Sequence, residues 1–318
     1  STICRSQNIT CPYELSPYHP LISAAIHPQH PLQKTGHGDL VQCIEGDWCL
    51  FFLTGRPVSP RGRCPLGRET CMAKIDWPEN DWPRLSNGSM VPDLKLPFEG
   101  DNPGPISEVV DFEKDALPAT YHSLRVPITE QWCSQMGRAG FLRLFGRESL
   151  SSTFEQSLLA RRVQSLDFAY EVSMEFSPNH FQQMAGLVCF YNTYHYFYLH
   201  ILGDETGKNR WLQLVKCDHY QIEELLPKAI SVPQTTQKIH MGVSWKQDML
   251  QFRFKWDHGE WENFPGWYDG SILSDDYVRE SGTRYRPDIT GAFVGVACQD
   301  LTGQRSYVDI GRLSYLED

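Results

Sequence analysis

Apolar and polar positions alternate with a period of two along most of this chain, and stretches with a helical period are scarce. The segment 46–55 (GDWCLFFLTG) predicts a strand with Trp48, Leu50 and Phe52 on one face. Segment 165–176 (SLDFAYEVSMEF) alternates over most of its length. Segment 185–202 predicts two strands joined by a turn at Asn192-Thr193. Residues 238–264 predict a hairpin turning at Lys246-Gln247-Asp248, with Trp245, Phe252, Phe254 and Trp256 alternating along its arms. A buried strand is expected over 292–298, and 306–315 is expected to close the sheet. Only 154–162 reads as helical, and it is short. Many short strands separated by Gly and Pro turns predict an all-β sandwich, barrel or propeller.

The alternation breaks between Asn87 and Pro118, where SNGSMVPDLKLPFEGDNPGP concentrates Pro, Gly and Asn in the manner of a linker. About ninety turn-rich residues precede the break, and the part after it is long enough for one large sandwich. A length of 318 residues suits two domains. Hydrophobic residues at 41% and charged residues at 21% exclude a disordered chain. A net charge of −10 removes the basic footprint that nucleic-acid binding needs. Membrane spanning by a helix is also excluded, because even 188–202 carries Asn192, His195 and His200. The ten Cys include no CxxC pair, which argues against a zinc ribbon or a thioredoxin motif. Two sequons, at Asn8 and Asn87, and a start at Ser1 without a basic and apolar leader leave the compartment open.

Candidate chemistry concentrates in three short stretches: Thr35-Gly36-His37-Gly38-Asp39-Leu40-Val41, Leu53-Thr54-Gly55-Arg56-Pro57 and Cys64-Pro65-Leu66-Gly67-Arg68-Glu69-Thr70. Gly and Pro beside each polar residue suggest strand ends and tight loops. His37-x-Asp39 has the chemistry to hold a metal or a water network, and Arg68 can grip hydroxyls or a carboxylate bidentately. The plainer alternative is that His37 and Asp39 satisfy turn backbone groups and that Arg68 pairs with Glu69 or another acid.

These stretches, preceded by Arg5-Ser6-x-Asn8-Ile9-x-Cys11-Pro12-Tyr13-Glu14, resemble the last part of the catalytic domain of glycoside hydrolase family 43, of the β-xylosidase/α-L-arabinofuranosidase type. The second half is similar to the accessory domain of the same enzymes through Leu124-Arg125-x-Pro127, Leu142-Arg143-Leu144-x-Gly146, Ser157-Leu158-Leu159-Ala160-Arg161-Arg162, Ile272-Leu273-Ser274-Asp275 and Gly291-Ala292-Phe293-Val294-Gly295. The resemblance implies an all-β fold, the C-terminal blades of a five-bladed β-propeller followed by a concanavalin A-like β-sandwich (jelly roll). Expected boundaries are 1–96 for the last two blades or so, 97–116 for the linker and 117–318 for the sandwich.

The implied reaction is inverting hydrolysis of xylan-derived oligosaccharides. Such chemistry needs an acid and a base carboxylate about 6.5–9.5 Å apart to admit a water, with a third Asp tuning them. In the family all three lie upstream of the Arg-Ser-x-Asn-Ile motif, so no catalytic carboxylate is expected after Ser1. Neither Asp39 nor Glu69 takes one of those positions by motif. The resemblance assigns His37 to the propeller axis, beside a water or a divalent ion, and Arg68 to the sugar hydroxyls and the general acid. Asp39, Thr54, Arg56 and Cys64 are weaker, more structural candidates.

No cofactor is required, although a divalent cation such as Ca near the axis is compatible with His37. Expected partners are xylo-oligosaccharides or arabinoxylan fragments, with a homo-oligomer left open. Cys11 stands where relatives usually carry Gly, and Ile289 where they carry Phe. Residues 275–288 are the expected loop over the catalytic pocket. The aromatic residues Trp256, Trp261, Trp267, Tyr268 and Tyr277 either fill the sandwich core or bind sugar. The rival function is therefore a non-catalytic carbohydrate-binding or interaction module.

Overall fold

Antiparallel strands make up nearly all the regular structure in the computed structural model, which describes residues 1–59, 62–95, 98–100, 104–280 and 289–318. The chain divides into two units, Ser1–Asn102 and Pro103–Asp318.

In the first unit, the two-residue strands β1 (Cys4–Arg5) and β2 (Glu14–Leu15) pair with each other. The other strands form one four-stranded meander in chain order: β3 (Gln33–Gln42), β4 (Trp48–Gly55), β5 (Glu69–Asp76) and β6 (Arg84–Leu85). This is the form of a propeller blade. The described residues thus complete one four-stranded blade, where about two were expected. The first unit's remaining residues run mainly as turns. As the alternation predicts, Leu50 and Phe52 of β4 are buried, packing with Leu21, Ile22, Ala73, Ile75 and Leu85, while Trp48 flanks the cluster. β3 is irregular. Its register shifts twice between Gln33 and Asp39, and Lys34 and His37 adopt positive φ. A Cβ at Gly38 would lie 2.8 Å from Leu50 Cδ1 and 3.2 Å from the Phe51 carbonyl, so a larger residue there would have to displace the buried Leu50 side chain. Cys11 holds a φ of 104°, a conformation that suits the Gly it replaces in the resemblance.

The second unit stacks two sheets. The first contains β7 (Ser107–Asp111), β9 (Cys133–Ser134), β10 (Leu142–Phe145), β12 (Asp167–Phe176), β18 (Ile239–Lys246), β19 (Met249–Trp256), β20 (Glu262–Asn263), β21 (Tyr268–Asp269) and β23 (Tyr307–Glu317). The second contains β8 (Tyr121–Ser123), β11 (Ser157–Arg162), β13 (Gln183–Asn192), β14 (His195–Gly203), β15 (Arg210–Asp218), β16 (Gln221–Glu224), β17 (Ile230–Val232) and β22 (Phe293–Asp300). A short helix, α1 (Asp275–Glu280), precedes β22. Strict alternation in β12 turns Phe168, Tyr170, Val172, Met174 and Phe176 inward, where Phe168 meets Trp245 and Tyr315. Phe197 of the second sheet faces Phe252 of the first across the core.

Three expectations change here. Residues 154–162, read as a helix, contain strand β11, which pairs with β22 and β8. Both faces of the second sheet are covered. A second apolar cluster of Leu158, Ala160, Val188, Phe190, Tyr196, Tyr198 and Ala297 lies on the side away from the other sheet. A strand buried on both faces loses its alternation and cannot be told from a short helix by period. Next, β7 lies inside the stretch 97–116 read as linker, and pairs with β23. Finally, β23 does not close the sheet at an edge but runs through its middle, between β12 and β10.

Candidate functional site

The three polar stretches of the first unit meet at one end of the blade, where β3 starts, β4 ends and β5 begins. Gln33 stands opposite Gly55, and Thr54 opposite Glu69. Buried Thr54 donates its hydroxyl to the Gln33 carbonyl at 2.9 Å, tying β3 to β4. Arg56 donates through Nε and Nη2 to the two carboxylate oxygens of Glu69, each at 2.8 Å. This bidentate pair raises the Arg56 pKa. Cys64 is fully buried, and a Cβ at position 55 would approach its Sγ to 3.0 Å, a tight contact that Gly55 avoids.

The Lys34 ammonium donates to Cys64 Sγ at 3.3 Å and to the Gly62 carbonyl at 3.4 Å. Lys34 escaped the sequence reading because its partners lie some thirty residues away. Arg68, half-buried, follows a turn closed by the Gly67 amide donating to the Cys64 carbonyl, with Gly67 at φ +71°. The register therefore gathers Thr54, Arg56 and Glu69, while Cys64 and Lys34 brace the adjoining turn. His37 and Asp39 are both exposed, His37 on the distorted part of β3. Among the described residues, no group of three metal-capable side chains includes His37. Both side chains are exposed on β3, so a cation there would need further ligands or water beyond these two groups.

In the sandwich the aromatic residues divide between core and surface. Tyr268 packs on Phe197 and Phe252, and Trp256 on Phe254. Trp267 is exposed. Trp261 lines a cavity of about 360 Å³ with Glu171, Glu175, His240, Lys255 and Arg312. A larger cavity of about 660 Å³ opens on the outer face of the second sheet, lined by Tyr198, His200, Trp211, Gln213, Glu224 and Gln299 among others. Burial pushes the His200 pKa down to about 4, against the opposing pull of the Tyr198 carbonyl 3.1 Å from its Nδ1. Of the expected loop 275–288, Asp275–Glu280 is α1, and 281–288 lie outside the described residues. Asp275 is buried and accepts from the Tyr191 hydroxyl at 2.8 Å, while Ile289 is exposed. Tyr277 donates to Asp218, which belongs to a His195–Asp218–His219 group that the sequence reading did not single out.

Residues 1–83 match the model of the glycosyl hydrolases family 43, and residues 109–316 match that of the β-xylosidase C-terminal concanavalin A-like domain. The chain belongs to glycoside hydrolase family 43. Among its family 43 relatives, the β-xylosidase of Bacillus subtilis (strain 168) is 38% identical, aligned over 100% of this chain and 60% of its own length. Xylosidase/arabinosidase 43B of Humicola insolens is 34% identical over 95% of this chain and 56% of its own. The crystal structure of xylan β-1,4-xylosidase from Bacillus halodurans C-125 superposes with a TM-score of 0.89 at 35% identity, covering 99% of this chain and 60% of that one. The chain therefore spans about 60% of the length of such relatives. These likenesses establish the propeller-blade and sandwich architecture and a glycosidase family.

Proposed function

We propose that this chain serves a glycosidase acting on xylan-derived oligosaccharides as β-xylosidase, α-L-arabinofuranosidase or both, by inversion, and that it supplies the supporting half of the active site. The observation that carries this reading is the ordered match of both family segments in one chain. In this reading Arg68 places a permanent charge against sugar hydroxyls and the general acid, stabilising charge that develops in the transition state. The water that attacks the anomeric carbon is activated by a carboxylate outside this chain. Both oxygens of Glu69 already accept from Arg56, which supports leaving Glu69 out of acid–base work. The described residues do not fit a protein-caged cation at His37, and no step is routed through one.

The test joins this chain to the part of the Bacillus subtilis relative that precedes its match. The fusion should hydrolyse aryl β-xylosides or aryl α-arabinofuranosides with inversion of the anomer, while the 318-residue chain alone should not. Within the fusion, Arg68→Ala should lower kcat/KM by roughly 30- to 1000-fold (about 2–4 kcal/mol) at an unchanged melting temperature. Turnover by the chain alone, abolished by Asp39→Asn or Glu69→Gln, overturns the reading. Saturable xylotriose binding by the chain alone, with an inactive fusion, favours the binding-module alternative through the two sandwich cavities.

A further inference from the structure

Strand pairing in the second sheet sets His195, the first residue of β14, opposite Asp218, the last of β15. His219 follows in the two-residue turn into β16, so register gathers three groups that the sequence keeps apart. His195 has no exposed surface. Its tautomer follows from its neighbours. The Tyr194 backbone amide donates to the Asn192 side-chain oxygen at 3.1 Å, which identifies that atom as the acceptor. His195 Nδ1 lies 3.2 Å from the same oxygen and so carries the proton.

His195 Nε2 therefore presents a bare lone pair, buried, without a hydrogen-bond partner, and 3.7 Å from Asp218 Oδ1. Two acceptors face each other. Asp218 Oδ2 is taken by the Tyr277 hydroxyl at 2.8 Å, and Oδ1 lies 2.6 Å from His219 Nδ1. His219 Nε2 is also buried without a partner. The turn that aims the His219 ring has φ of 50° at His219 and 66° at Tyr220. Such two-residue turns normally use Asn and Gly, and a His-Tyr pair holds the same shape at a conformational cost. The His195 and His219 rings meet edge to face at 4.4 Å. One donor atom from each of the three residues lies within 4.8 Å of the other two.

We propose that His195, Asp218 and His219 bind a divalent transition-metal ion of the zinc class. Two imidazoles and one carboxylate suit zinc, cobalt or nickel over calcium or magnesium, which prefer all-oxygen sites. A cation about 2.0–2.2 Å from each ligand turns the facing acceptors into partners and balances the Asp218 charge. Water completes its coordination from the partly exposed side of Asp218 and His219. Asn192 orients His195, and Tyr277 orients Asp218, the outer contacts that metal sites use. The ion then ties β14, the β15–β16 turn and, through Tyr277, α1 into one node.

Chelator-treated chain is titrated with Co²⁺ and then with Zn²⁺. One equivalent of Co²⁺ should develop visible d–d bands without thiolate charge transfer, which separates this site from the ten cysteines, none of them in a disulfide. Zn²⁺ should displace the cobalt and raise the melting temperature. His219→Gln, Asp218→Asn and the outer variant Tyr277→Phe should each weaken uptake by roughly tenfold or more, with metal-free circular dichroism unchanged. Should Asp218→Asn fail to fold, the other two variants decide. Absence of uptake, a thiolate spectrum alone, or uptake indifferent to His219→Gln and Tyr277→Phe overturns the proposal and leaves Asp218–His219 as a plain ion pair.

Discussion

The blade and the sandwich cover their strands to different extents. The blade buries one small cluster around Leu50 and Phe52 and leaves Val41, Phe51 and Trp77 exposed. The sandwich buries both faces of its second sheet, and its side chains at β12 alternate without a fault. Order in the blade is interrupted where its polar residues lie, at the double register shift of β3 and the left-handed backbone of Lys34 and His37. In the sandwich, polar groups also enter the interior, some paired and some, such as His195 Nε2, without a hydrogen-bond partner. Arg161, 1% exposed, pairs with Glu108 and lies over the Tyr315 ring. For its size, the first unit thus leaves more apolar surface exposed than the second.

The harshest way to break this comparison is to empty the sandwich core. Trp245 is fully buried, with its indole N–H on the Gln247 carbonyl at 2.8 Å. Trp245→Ala should cost about 3–5 kcal/mol and lower the sandwich melting temperature by roughly 6–20 °C. A calorimetric scan showing no change would mean that the core is not shared across the two sheets.

A gentler probe is acid. The folded pKa of His200, about 4, lies below its unfolded value of 6.5. The unfolded chain therefore binds more protons between those values, and stability falls as pH falls from about 6.5 to about 4. The loss is on the order of 3 kcal/mol for a shift of this size. Urea midpoints of the wild type should drop across that window, and His200→Gln should reduce the drop, with buried His195, likewise lowered to about 4, supplying part of the remainder. An equal slope in both proteins would remove His200 as the cause.

The smallest expected effect lies in the blade. Arg56→Gln breaks an ion pair whose partners keep 44% and 30% of their side-chain surface exposed, and should shift stability by no more than about 1 kcal/mol. A loss several times larger would show that the pair holds the blade end together, contrary to its exposure.

Much of the fold was legible because it rests on one-sided burial. The arms 239–246 and 249–256 and their turn at Gln247, with φ of 57°, follow from the alternation of Trp245, Phe252 and Phe254. Where burial is two-sided the signal vanishes, and 154–162 was misread for that reason. The blade-end residues could be named from motif order, but their partners could not. Glu69 is paired with Arg56, thirteen residues away, and Cys64, in the turn before β5, is met by Lys34 of β3. The His195–Asp218–His219 group was invisible for the same reason, since only the β14–β15 register brings His195 to Asp218. Long-range pairing carries no local periodicity.

The central place of β23 has a consequence for how the protein is made. Residues 307–317 hydrogen-bond to β7, β10 and β12, strands that begin up to two hundred residues earlier. During synthesis those strands leave the ribosome long before the segment that joins them. Until it emerges, β10 and β12 each expose an unpaired edge, and pairings of such long sequence separation form slowly. Loss of residues 307–317 alone would therefore leave the first sheet split along the middle.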